Sequence, residues 1–272
     1  MQTLIGLFKY YKGEVFKIIR GIYTSASGMM SQGIKQETIA NNLSNLDTNG
    51  YKKDSSIMGS FPDMLINTQN SMSESDGSIP VGRLNLGSLV EENYTEHTQG
   101  TLSQTENNLD FALNGNGFFT LQTPEGERYT RDGHFLRDVD GNLVDANGNY
   151  VLGEDGEVVS VPTSDIVVDE QGNIAVEDET LNTLTVTEFE NPETLIKEGS
   201  NFFVEAEETE IDNQEGLNTS IEQGFLEKAN IDIQKEMSEA ISSLRTYEAN
   251  QKILQAQDEL LGKCVNEVGT LR

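Results

Sequence analysis

Apolar residues recur in steps of three and four at both ends of this chain, and in steps of two between them. From Ile19 the series Ile22, Ala26, Met29, Gly33, Gln36, Ala40 and Leu43 keeps the spacing of a heptad seam. It closes at Asp47-Thr48-Asn49-Gly50, where Asn-Gly supplies the left-handed conformation that stops a helix. A longer series runs through Ile233, Met237, Ala240, Leu244, Tyr247, Gln251, Leu254, Asp258, Leu261, Val265 and Val268, and Ile241, Ile253 and Leu260 widen it. Asp232 is placed as its N-cap and Gly269 as its stop. Glu248 with Lys252, and Glu259 with Lys263, add pairs one turn apart in the favourable order. At ~1.5 Å per residue this rod is about 54 Å long, and long for a helix inside a globular domain. An amphipathic helix must bury its stripe. The predicted partners are the helix at the other end of the chain and helices of other chains. The alternative is a pair of end helices that cover a sheet of their own molecule.

Between residues 91 and 225 the pattern changes to short runs of period two. Turn signals recur at Asn114-Gly115, Asn116-Gly117, Glu125-Gly126, Asp132-Gly133, Asp140-Gly141, Asn147-Gly148, Asp155-Gly156 and Gln171-Gly172. Their spacing is that of a meander of hairpins. Phe118-Phe119-Thr120-Leu121, Ile166-Val167-Val168 and Leu184-Thr185-Val186-Thr187 read as strands. The Asn-, Ser- and Gln-rich stretch 66–80 reads as extended or mobile. The predicted class is therefore α+β, with terminal helices paired in a coiled-coil-like layer and a central all-β domain. The expected divisions are 19–50 as the first helix, 51–90 as a connecting segment, 91–225 as the β domain and 226–272 as the last helix.

Charge sharpens this division. The net charge is −28, and residues 61–226 carry 34 acidic against 5 basic residues, so both ends are near neutral. An acidic middle repels phosphates, which argues against a nucleic-acid partner. It suits a domain in solvent between ends buried in protein contacts. No run reaches the ~18 apolar residues of a membrane span. The start is broken by Lys9, Lys12 and Lys17 and has no small-residue cleavage pattern, so no secretory signal is expected. The single cysteine, Cys264, cannot form an internal disulfide, and it reads as a small apolar residue of the last helix.

Chemistry is sparse. The only histidines, His97 and His134, lie far apart in sequence with no cysteine near them. Neither a metal site nor a histidine-based nucleophile relay is expected. Nucleotide and hydrolase motifs are absent from the sequence. Asp138-Val139-Asp140-Gly141-Asn142 imitates the start of a calcium loop. Its sixth position is Leu143 rather than glycine, and its twelfth is Asn149 rather than a bidentate carboxylate. Two successive turns are the expected structure. An enzyme is therefore disfavoured and no cofactor is expected.

Longer motifs carry a resemblance. Ile39-Ala40-Asn41-Asn42-Leu43-Ser44-Asn45-Leu46-Asp47-Thr48-Asn49-Gly50-Tyr51-Lys52 resembles the N-terminal signature of bacterial flagellar rod and hook proteins. Arg20-Gly21-Ile22-Tyr23-Thr24-Ser25-Ala26-Ser27-Gly28-Met29 is similar to the usual start of such chains, which leaves Met1–Ile18 as an atypical extension. Glu236-Met237 and Arg245-Thr246-Tyr247-Glu248-Ala249-Asn250 resemble the matching end segment. Gln99–Thr105, Asn114–Phe119 and Tyr129–Phe135 resemble the family's middle, and Ile79–Gly87 most resembles the segment of distal rod members.

The resemblance implies a structural subunit of the basal-body rod, stacked in a helical tube that passes torque to the hook. It implies export from the cytoplasm through the flagellar apparatus without a cleaved signal, and neighbours that are copies of itself and other axial proteins. A proximal rod or hook-type member is the alternative within the family, and a secreted β-domain adhesin the alternative outside it. The expected joint between subunits comprises Ile22, Ala26, Met29, Ala40, Asn41, Asn42, Leu43, Asn45 and Gly50 near one end. At the other end it comprises Met237, Leu244, Tyr247, Asn250, Leu254 and Leu261.

Overall fold

A computed structural model describes residues 2–61, 64–68, 79–84, 87–153, 156–163, 166–176, 179–205, 211–212 and 219–269. The chain is α+β: helix α1 (Gln2–Ser44) and helix α2 (Ile233–Gly269) flank a long series of antiparallel strands. The backbone of α1 is helical from Gln2, through the stretch read as an extension, and it ends within the Asn41–Asn45 run. The strands Asp54–Ser60, Met64–Thr68, Ile79–Leu84 and Ser88–Thr95 occupy much of the segment read as connecting. The remainder of the 66–80 stretch, and the side chain of Cys264, lie outside the described residues.

The chain divides into two units. The first contains residues 1–40, 56–93 and 234–272, so both helices belong to it. The second contains residues 41–55 and 94–233 and holds the apolar core.

The second unit is built on a twisted antiparallel sheet. Along it, in order, lie Ile196–Glu198, Phe202–Val204, Gly126–Thr130, Phe118–Thr123, Tyr150–Val151, Leu143–Val144 and Leu136–Arg137. The strand Val186–Phe189 pairs with Phe118–Thr123 as well. Successive side chains of a strand face opposite ways. In Phe118–Leu121 all four are buried because each face of the strand has its own core. Phe119 and Leu121 enter a cluster with Phe111, Leu113, Phe135, Leu143, Val151 and Ile174. Phe118 enters the other, with Tyr129, Phe189, Leu195 and Phe203, whose rings meet edge to face.

The end of this unit returns to its beginning. Ser220–Gln223 pairs with Phe111–Asn114, and Phe225–Glu227 pairs with Leu102–Gln104. That closure carries Glu227 into the interior.

The turns explain the calcium-like segment. Asp138–Asn142 and Asp145–Asn149 are two successive turns, as expected, closed by Gly141 N–H to Asp138 O and Gly148 N–H to Asp145 O. Asp145 Oδ1 accepts the N–H groups of Asn147 and Asn149, both at 2.8 Å, and its Oδ2 accepts Asn149 Nδ2 at 2.9 Å. The carboxylate is already occupied by its own chain. Asp169-Glu170-Gln171-Gly172-Asn173 repeats the arrangement bond for bond. There the Asn173 amide foremost, with the backbone N–H groups, holds Asp169 below the ordinary carboxylate range. Gly148 (φ 85°) and Gly172 (φ 90°) occupy the left-handed position that such turns require.

Candidate assembly surfaces

Within the first unit the helices run antiparallel. Lys35 Nζ lies 3.1 Å from Glu239 Oε2, and Ser243 Oγ donates to Gln32 Oε1 at 2.8 Å. Further along, a Cβ built on Gly28 would lie 2.9 Å from Asn250 Nδ2, and one on Gly21 only 2.1 Å from Gln257 Nε2. Lys35, Gln32, Gly28 and Gly21 therefore face Glu239, Ser243, Asn250 and Gln257 in turn. Among the covered positions of α2, Glu236, Ala240, Ser243, Tyr247, Asn250, Leu254, Gln257 and Leu261 are spaced as a heptad seam, with Glu239 beside it. Half of them are polar. Among the described residues, Gln36 Nε2 and Gln257 Oε1 are buried without a hydrogen-bond partner, a configuration that costs free energy.

The large apolar side chains lie elsewhere. Met237 (52% exposed), Ile241 (52%) and Leu244 (49%) form one patch on α2. Ile253 (48%) and Leu260 (52%) form another. At 3.6 residues per turn the two patches flank the seam on opposite sides, one in each half of the helix. On α1, Tyr23, Met30 and Ile34 are exposed on the side turned from α2. The other flank of α1 is polar: Ser31 Oγ meets Ser88 Oγ at 3.2 Å, and Ser27 Oγ accepts the Ser88 N–H. The single apolar seam read from spacing is thus split. Ala240, Tyr247, Leu254 and Leu261 face α1, whereas Ile233, Met237, Leu244 and Val265 are open.

The second unit gathers the Asn-Gly-Tyr-Lys motif into a buried charge cluster. Lys52 Nζ donates to Glu227 Oε1 at 2.6 Å, with both side chains about 1% exposed. Gly100 N–H donates to the same oxygen at 2.7 Å. Arg131, equally buried, brings its Nη1 to 3.6 Å from Glu227 Oε2 and stacks over the Phe118 ring. Burial depresses the Lys52 pKa to about 8, the attraction of Glu227 opposing the shift and the Arg131 charge adding to it. Burial likewise lowers that of Arg131. Gly50 sits at φ 66°, and a Cβ there would lie 2.4 Å from the Arg131 carbonyl carbon, so no other residue fits without displacing backbone. Asn42, 1% exposed, ties the end of α1 to this cluster. Its Nδ2 donates to Asp54 O at 2.8 Å, and its Oδ1 accepts Tyr51 Oη at 3.1 Å and Asp54 N–H at 3.0 Å. Lys197 Nζ covers the Tyr51 ring at 3.9 Å and bonds Asp54 Oδ2 at 3.0 Å.

Beside the cluster lies His97, between the Phe118 and Phe203 rings. Among the described residues neither of its buried ring nitrogens has a hydrogen-bond partner. Burial first, then the charges of Lys52, Arg131 and Lys197, push its pKa down to about 4.

The residues expected at the joint therefore separate. Met237, Leu244 and Leu43 (41% exposed) are open, as are Ala40 and Asn41. Ile22, Ala26, Met29 and Asn45 are half-covered, and Asn45 Nδ2 bonds Asn41 Oδ1 at 2.9 Å. Tyr247, Asn250, Leu254 and Leu261 line the seam within the subunit. Asn42 and Gly50 are engaged inside the second unit. Lys52, Glu227, Arg131 and His97 were missed by sequence reasoning. Arg131, one of five basic residues in the acidic stretch 61–226, was the available signal.

Paired terminal helices with apolar residues left outside, and a self-contained β unit between them, define a structural subunit with interfaces to fill. Three family profiles agree: flagella basal body rod protein over residues 22–52, flagellar hook protein FlgE/F/G D1 domain over 112–177, and flagellar basal body rod FlgEFG protein C-terminal over 222–267. The chain belongs to the flagellar basal-body rod protein family and is a structural component of the rod. It is 33% identical over 261 residues to the flagellar basal-body rod protein FlgG of Buchnera aphidicola subsp. Acyrthosiphon pisum, covering 90% of this chain and 98% of that one. It is 30% identical over 261 residues to FlgG of Bacillus subtilis (strain 168), covering 92% and 99%. It is also 30% identical over 271 residues to the flagellar hook-basal body complex protein FlhO of the same organism, covering 93% and 100%.

Proposed function

We propose that this chain is a distal-rod subunit that assembles helically through the exposed apolar flanks of α1 and α2, and so carries torque toward the hook. The observation that carries this reading is the inverted helical pair, with half of its seam positions polar within the subunit and large apolar residues on its outer flanks. Each half-exposed Met, Ile or Leu that a neighbour covers contributes about 1 kcal/mol. Patches on opposite flanks and at different heights call for more than one neighbour. Copies of the chain, and other axial proteins at the ends of the stack, are the partners that fit. The subunit leaves the cytoplasm through the flagellar export apparatus. Full-length similarity to FlgG proteins supports the distal position, while the match to FlhO keeps another hook–basal-body position as the second reading. The test is a deletion strain complemented with the wild-type chain or with Leu244→Glu. Wild type restores hook and filament, and Leu244→Glu does not. Normal motility in the deletion strain would reject the proposal, and antibody labelling of isolated hook–basal bodies separates distal from other positions.

A further inference from the structure

We infer that the polar seam between α1 and α2 is a register key, which selects one alignment of the two helices at the expense of their stability. This rests on the assembly reading for its purpose, but its evidence is the seam itself. An antiparallel pair lined only with leucine can slide by whole heptads at little cost, since each slide returns apolar to apolar. Here Asn250 and Gln257, seven residues apart, rest on Gly28 and Gly21, also seven apart. The native alignment is the one that seats both amides on glycine. A slide of one heptad in one direction brings Gly28 to Gln257 and leaves Asn250 against the bulk of Gln32 and Lys35. A slide in the other direction brings Gly21 to Asn250 and takes Gln257 off its glycine. Either slide also separates Ser243 Oγ from Gln32 Oε1 and Lys35 from Glu239.

The unpartnered, buried Gln257 Oε1 shows that the seam is not arranged for maximal stability. Buried polar positions that fix alignment at a stability cost are the best-attested role of such groups in paired helices. The alignment matters because it sets where the outer patches stand. Sliding by one heptad moves Met237-Ile241-Leu244 about 10 Å along Tyr23-Met30-Ile34, and neighbours would meet a displaced surface.

Cysteine cross-linking in isolated hook–basal bodies tests this, in a Cys264→Ser background. Lys35→Cys with Glu239→Cys reports the native alignment. Lys35→Cys with Thr246→Cys, or with Asp232→Cys, reports a slide of seven residues either way. With the natural seam, cross-links form in the first pair alone. With Asn250→Leu and Gln257→Leu together, the slid pairs gain cross-links and motility falls, while the chain is still exported and its helical content is kept or raised. Asn250→Gln with Gln257→Asn keeps the native pattern. If the double leucine variant does not enter the basal body, Asn250→Leu alone is read in the same way. An unchanged pattern in the leucine variant, or slid cross-links with the natural seam, overturns the inference. Absence of the unmodified chain from the basal body would instead strike the assembly reading.

Discussion

The two units solve the burial problem in opposite ways. In the β unit Phe111, Phe118, Phe119, Phe135 and Phe203 are fully buried, and Lys52, Arg131 and Glu227 are shut in beside them. In the helical unit the seam takes serine, amides and glycines, and Met30, Met237, Ile241 and Leu244 stay outside. Each unit therefore draws its stability from a different place. The β unit has its own core and can be disrupted only from within. The helical unit leaves its apolar surface open, so its stability depends on what covers it.

The largest effect should come from the charge cluster. Glu227→Ala leaves Lys52 and Arg131 buried without their carboxylate and should destabilise the β unit by about 3–5 kcal/mol in urea denaturation. A change within about 1 kcal/mol would show that water reaches the cluster and that the unit is less closed than described.

His97 gives a smaller, pH-dependent effect. Its folded pKa of about 4 lies below the ordinary 6.5. Between those values the unfolded chain binds more protons, so stability falls as pH falls through the window. The loss should be on the order of 1–3 kcal/mol, allowing for partial exposure. His97→Phe should flatten the stability profile between pH 6.5 and 4, and an unaltered profile would move the acid sensitivity elsewhere.

The helical flank should respond in the reverse sense. Leu244→Glu should alter stability of the free chain by no more than about 0.5 kcal/mol and yet prevent assembly. A large loss of stability would mean that this face is already covered within the subunit. Smallest of all, Lys35→Ala removes a half-exposed ion pair and should cost less than about 0.5 kcal/mol.

The same contrast decides what could be read from the sequence. Periodicity announced both helices, and Asn-Gly and Asp-Gly pairs announced the hairpins, because local backbone demands are written in local residues. Phe118–Leu121 could be recognised as a strand by its β-forming residues. Which face of α2 meets α1 could not. Spacing puts Met237, Leu244, Gln251 and Asp258 on the seam and leaves Gln257 off it, whereas those four are exposed and Gln257 is covered. The close approach that reverses this comes from Gly21 and Gly28 more than two hundred positions away. Asn42 and Gly50 are expected in a joint between subunits by their motif, and nothing in the single subunit tests that. Each has a sufficient reason within its own unit, Asn42 in three hydrogen bonds and Gly50 in its approach to Arg131. The buried cluster was invisible because Lys52, Arg131 and Glu227 come from three distant segments, and charge counts say nothing about which charges meet.

If the helices remain incomplete until neighbours cover them, amide hydrogen exchange must differ between the free chain and the assembled rod. Strong protection of residues 109–135 is expected in both states, and protection of 21–40 and 234–261 only in the rod. Equal protection of both helices in the free chain would contradict it.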